Sequence, residues 1–153
     1  MLLTHLHLML NHIPIFGTIV LFFLMGYAVI YKKENLVRIY LWWFVVTALI
    51  TVPVFLTGDP SSEYLKTFLP GVNNDTIENH ETFGYISFII ILILGLSAII
   101  ALRLFRNKEI IPSWFKYFFL IVSFICMLAI SWTGKTGGEI RHDEITSGNT
   151  TVK

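Results

Sequence analysis

Four long apolar stretches, parted by short polar segments, set the pattern of this chain. Residues 13–31, 39–57, 82–102 and 114–133 contain no acidic side chain, and Lys116, near the start of the last, is their only basic one. Each is close to the roughly 20 residues that a helix needs to cross the hydrocarbon core of a bilayer. The pattern predicts an all-α integral membrane protein, an antiparallel four-helix bundle with short connections. Lys116 can snorkel from the end of its span.

The polar segments give an orientation. Lys32, Lys33 and Arg38 flank the first connection, and Arg103, Arg106, Lys108 and Lys116 flank the third. The middle connection, residues 58–81, carries Asp59, Glu63, Asp75, Glu78 and Glu81 against Lys66 alone. The positive-inside rule places the basic connections in the cytoplasm and both termini and the acidic loop on the outer side. Asp75-Thr76-Ile77-Glu78 resembles a capping box, which predicts that the third helix begins near Thr76. No basic segment precedes the first apolar run, so that run reads as a retained span rather than a cleaved signal.

Composition narrows the class further. Hydrophobic residues make up 55% of the 153 and charged residues 14%, with a mean hydropathy of +0.71. A formal charge of +1 provides no basic field for nucleic acid. One four-helix domain, residues 1–146, with a polar tail at 147–153, accounts for the length. Cys126 is the only cysteine, so neither an internal disulfide nor a c-type haem attachment is available.

The halves of the chain echo each other. Asn11-His12 opens the first span and Asn79-His80 the third; Phe16-Gly17 and Phe83-Gly84 follow. The second span ends at Thr57-Gly58 and the fourth at Thr133-Gly134, where the glycines predict a helix end. Two pseudo-symmetric helical hairpins would set His12 and His80 on opposite sides of the bundle at one depth. Opposed imidazoles are what six-coordinate haem iron needs.

All five histidines, His5, His7, His12, His80 and His142, gather at the same predicted face. His12 and His80 are the first candidates for axial ligands. His7, about one helical turn before His12, and His142, beyond the glycines that follow the last span, are candidates for a second haem or for propionate contacts. His5, near the terminus, reads as a surface residue. Glu81 and Glu144 are candidate metal ligands beside His80 and His142. His80, Gly84, Ser87, Gly95 and Ala98 share one helical face. Those small residues suit either a flat macrocycle near Gly84 or ordinary close helix packing. Gly134-Lys135-Thr136-Gly137 lacks the spacing and setting of a phosphate-binding loop, and no nucleophile elbow is present.

The opening His7-Leu8-Met9-Leu10-Asn11-His12-Ile13-Pro14-Ile15 and the closing Gly137-Gly138-Glu139-Ile140-Arg141-His142 resemble the prokaryotic four-span membrane proteins grouped as domain of unknown function 2231. That family begins with two histidines at this spacing and ends in a Gly-Gly motif before a polar stretch. Leu8 stands where many members have proline, and Ile140-Arg141-His142 departs from their usual Leu-Val-Tyr-x-His ending. The resemblance implies a prokaryotic inner membrane but no settled activity; some relatives occur in respiratory or redox settings, which favours a haem reading.

Together these readings lead to an expectation: a membrane-bound b-type haem protein, with one haem or two near the outer face. It would transfer electrons rather than act as a stand-alone enzyme, as a subunit of a respiratory complex or beside a periplasmic electron carrier. A copper, zinc or iron ion held by the same histidines is the alternative. A structural or assembly subunit without a cofactor is the third reading.

Overall fold

The computed structural model describes residues 2–68 and 73–140. They form six helices: α1 (Leu2–Leu10), α2 (His12–Ile30), α3 (Glu34–Leu56), α4 (Gly58–Phe68), α5 (Asn74–Leu104) and α6 (Ser113–Glu139). Four rods result, because α2 continues α1 past a turn at Asn11 and α4 continues α3 past Thr57. All four are long and apolar enough to span a membrane: Leu2–Ile30, Glu34–Phe68, Asn74–Leu104 and Ser113–Glu139. The protein is all-helical, a multi-pass membrane protein with four spans.

The rods pack as a square. α2 lies against α3 and α6, and α5 lies against the same two. No Cα of α2 comes within 8 Å of α5, and none of α3 within 8 Å of α6, so these pairs are diagonal. Small interior residues bring the helices close, as bundles in lipid require. Ala28, Ala98, Ala101, Ser123 and Cys126 are fully buried, and a methyl placed on Gly95 would collide with Ala48 Cβ. The outer faces carry large apolar side chains such as Phe16, Phe23, Trp42, Leu49, Leu96 and Ile121, all exposed to the surroundings a bilayer would fill.

The rods are longer than the predicted spans. At 1.5 Å per residue the shortest, with 27 residues, is ~41 Å long and the longest, with 35, is ~53 Å, against a ~30 Å hydrocarbon core. The excess accumulates at one end. At the other, the basic end, α2 and α3 are joined by only three residues, 31–33.

Three local expectations change. The segment predicted as a long acidic loop is mostly helix, with Pro60 tolerated in the first turn of α4. α5 starts at Asn74, two residues before the expected Thr76, because Asn73 is the cap: its side-chain oxygen accepts from Asp75 N–H at 2.9 Å. The last helix does not stop at Gly134 but runs through three glycines to Glu139.

The basic end is clasped from α3. Glu34 accepts from Ile111 N–H at 3.1 Å and pairs with the buried Lys116 ammonium. Arg38, one turn on, donates to the carbonyls of Phe105 (3.1 Å) and Lys108, which close the C-terminus of α5. Lys116, expected to snorkel, is instead neutralised by a partner from the other hairpin.

The internal repeat is visible in the burial pattern. Pro14, Thr18, Leu21, Met25 and Ala28 are the buried stripe of α2; Ser87, Ile91, Leu94, Ala98 and Ala101, each 73 positions later (14 to 87), are buried on α5. Val37, Phe44, Thr47, Thr51 and Thr57 correspond to Lys116, Ser123, Cys126, Ile130 and Thr136, each 79 positions later (37 to 116). The shift grows by six, 73 to 79, because the second connection (105–112) is five residues longer than the first (31–33) and α5 runs one residue past the counterpart of the α2 end.

Candidate functional site

The repeat places one histidine in each half, and they are His7 and His80, also 73 positions apart (7 to 80). Counting 1.5 Å per residue from the basic ends of their rods, both lie ~35 Å up, just beyond the far edge of a ~30 Å hydrocarbon core. Each imidazole is held in the same way. His7 Nδ1 lies 2.9 Å from the Val54 carbonyl and 3.3 Å from Thr57 Oγ1. His80 Nδ1 lies 3.1 Å from the Thr133 carbonyl and 3.3 Å from Thr136 Oγ1.

The acceptors fix the tautomer. A carbonyl oxygen only accepts, so Nδ1 of each ring carries the proton and donates it. The threonines agree, because each has already committed its own hydroxyl proton. Thr57 donates to the carbonyls of Pro53 (2.8 Å) and Val54 (3.0 Å), and Thr136 to those of Trp132 (3.2 Å) and Thr133 (3.0 Å). In the neutral imidazole Nε2 is then left as a lone-pair donor. A glycine follows each threonine and makes room for the ring. A Cβ on Gly58 would lie 3.7 Å from His7 Cε1, and one on Gly137 would lie 3.0 Å from His80 Cε1.

Both rings are half-buried, and His80 lies within electrostatic reach of His7 and Glu81. The two histidines stand on diagonal rods: no Cα of α1 comes within 8 Å of α5.

The other candidates fall elsewhere. His12 is exposed; its Nδ1 bonds the Leu8 carbonyl of its own preceding turn at 3.2 Å, and its ring stacks on Phe16. Five residues past His7 is about 140° around a helix, so the two rings diverge rather than converge. By tether and by position in the repeat, His80 corresponds to His7 rather than to His12. Glu81 forms an ion pair with Lys66 at 3.5 Å. Gly84 faces α6, where an added Cβ would meet Thr133 Cγ2 at an ordinary 3.9 Å. Below it, Ser87 Oγ bonds Thr133 Oγ1 at 2.9 Å. His5 is exposed, and His142 and Glu144 lie outside the described residues, as does the tail 147–153. Among the described residues no three His, Cys, Asp or Glu side chains cluster as a metal site.

Sequence reading missed Thr136, Gly137 and the role of Thr57. The signal was present but ambiguous: Thr133-Gly134 and Thr136-Gly137 are the same dipeptide one turn apart, and only the second matches Thr57-Gly58. Comparison with protein-family models, with curated proteins and with solved structures finds no match to this chain.

Proposed function

We propose that the protein is a membrane-bound b-type haem protein that transfers electrons, with His7 and His80 as the axial pair. The observation that supports this most is the duplicated tether: each Nδ1–H is tied to a helix carbonyl, and each Nε2 lone pair is left free at one depth. Haem-ligating and metal-ligating histidines are oriented by such a bond from the other ring nitrogen. The donor count favours haem over a bare ion. Two imidazoles suffice for iron that arrives with four macrocycle nitrogens, whereas zinc at a protein site takes three or four protein ligands. When bound, the group would supply one-electron exchange; the chain's own contribution is to hold both rings in one tautomer and one orientation.

Orientation and partner belong to the same proposal. The basic clusters at 32–38 and 103–108 would face the cytoplasm, so the histidine end would face outward. Exposed Asp59, Glu63, Asp75 and Glu78 surround that end, a surface that would attract a basic electron carrier or a basic face of a respiratory complex.

A second reading has its own support. The same tethers staple each histidine-bearing helix to the end of its neighbour, as a structural subunit without a cofactor would use them. A copper, zinc or iron site would need further donors, with Glu81, His142 and Glu144 the candidates. The test is a reduced-minus-oxidised spectrum with a pyridine haemochrome assay on protein expressed with ample haem. A b-type signal lost in both His7→Ala and His80→Ala, and kept in His12→Ala, is the expected result. A featureless spectrum from haem-replete wild type refutes haem binding, and metal analysis of that sample then separates the other two readings.

A further inference from the structure

Among the described residues, only two buried side-chain oxygens have no hydrogen-bond partner, Thr18 Oγ1 and Asn11 Oδ1. They lie seven residues apart, two turns on the same face of one rod, and His7 is one turn above Asn11 on that face. Thr18 is 1% exposed and sits ~18 Å above the basic end of α2, near the middle of the hydrocarbon. Its neighbours along the stripe, Pro14 and Leu21, are buried too, so its side chain faces the bundle interior.

Thr18 is the exception among the buried threonines of the described residues. Thr47, Thr51, Thr57 and Thr136 are buried, and each donates its hydroxyl proton to a carbonyl three or four residues back. Thr18 has the same option at the carbonyl of Pro14 and does not take it. A hydroxyl buried without any partner costs about 1–3 kcal/mol, and the cost is not relieved by lipid. The side chain is turned away from its own backbone, and a group that accepts its proton and donates to its oxygen would remove that cost.

Water does both, and buried water is the usual partner of otherwise unsatisfied interior groups. Asn11 Oδ1 needs a donor, which water also is. Pro14, between the two, brings no N–H to the carbonyl of Leu10, adding a further acceptor along the same face. Other helices provide hydroxyls at the intervening depths, Thr51, Ser87 and Thr133 among them.

We propose that Thr18 binds water on the bundle axis, at a site reached from the histidine end past Asn11. The interior below the histidine pair is then wet to about mid-membrane, which gives that pair contact with exchangeable protons from inside the bundle. The claim stands on Thr18 and holds whether or not haem binds.

The test is X-ray hydroxyl-radical footprinting of the full chain in lipid nanodiscs, read by mass spectrometry. Radicals formed from a bound water oxidise the side chains beside it. Leu21 and Ile91, 7% and 2% exposed, would be silent in a dry bundle. We expect both to be oxidised in wild type and in Thr18→Ser, and oxidation to be lost in the isosteric Thr18→Val. Silence at both positions in wild type overturns the proposal, as does labelling that persists in Thr18→Val. A high-resolution experimental structure is the independent check: the Thr18 hydroxyl turned back onto the Pro14 carbonyl, with no density beside it, also overturns it.

Discussion

The two glycines beneath the histidine rings make unequal contacts, and that inequality is a sharp test of the tether. A methyl on Gly137 would lie 3.0 Å from His80 Cε1 and 3.3 Å from Nδ1, whereas one on Gly58 would lie 3.7 Å from His7 Cε1. Carbon atoms pack best at about 3.5–4.0 Å. Gly58→Ala is therefore accommodated, but Gly137→Ala pushes the His80 ring away by about 0.5–1 Å. The His80 Nδ1 to Thr133 carbonyl distance, now 3.1 Å, then passes the limit for a hydrogen bond. Losing that bond costs about 1 kcal/mol net, and somewhat more if the half-buried carbonyl is left unpaired. Replacing glycine with alanine inside a helix returns roughly 0.5–1 kcal/mol.

Gly137→Ala should thus range from neutral to ~1 kcal/mol destabilising, while Gly58→Ala should be neutral or stabilising. The gap of about 1–2 kcal/mol corresponds to roughly 2–8 °C in Tm for a chain of this size. The larger effect should fall on ligand binding: loss of an orienting partner typically costs about 10–100-fold in affinity at metal-binding histidines. Thermal unfolding in mild detergent, with haem titration on the same samples, reads both. Equal Tm values and equal affinities for the two variants would refute the tether as the orienting device.

Two other perturbations probe the clasp and the packing. Glu34→Gln leaves the buried Lys116 ammonium without a counter-charge and should cost about 3–5 kcal/mol; the double variant Glu34→Gln/Lys116→Met should recover most of that loss in thermal denaturation, and equal single and double variants would exclude the pairing. Gly95→Ala drives a methyl into Ala48 Cβ and should cost about 1–3 kcal/mol by overpacking. Ala48→Gly in the same chain should restore the wild-type Tm, and its failure to do so would place the clash elsewhere.

The spans were legible because hydrophobic length is a property of composition: four apolar runs near 20 residues give four helices regardless of partner. The ends of the helices were not, because they project beyond the apolar runs. There Glu63, Lys66, Glu78 and Glu81 look like loop residues by polarity, yet sit in helices set by capping at Asn73 and by continuity with α3. The existence of an internal repeat was readable from its echoes, but its register was not. Matching short motifs aligned His12 with His80 and Thr133 with Thr57. Burial aligns His7 with His80 and Thr136 with Thr57, a frame in which side-chain identity is mostly lost: Pro14 corresponds to Ser87, Thr18 to Ile91 and Val37 to Lys116. Only which residues face inward is shared, and that is visible once the helices are packed. The unsatisfied Thr18 was invisible in sequence for the same reason, since every threonine in a helix has a backbone carbonyl within reach.

The clasp at the basic end bears on how the chain is assembled. Glu34 and Arg38 belong to the first hairpin, and everything they hold, from Phe105 to Lys116, belongs to the second. During synthesis the first hairpin is complete before the residues that Glu34 and Arg38 hold have been made. Both side chains are satisfied only when the second hairpin has arrived with its turn on the same side. A second hairpin inserted the wrong way round would carry that turn to the opposite surface and leave Glu34 and Arg38 empty-handed. The pair thus ties the two hairpins together at their turns, and its contacts exist only in the arrangement in which both turns meet.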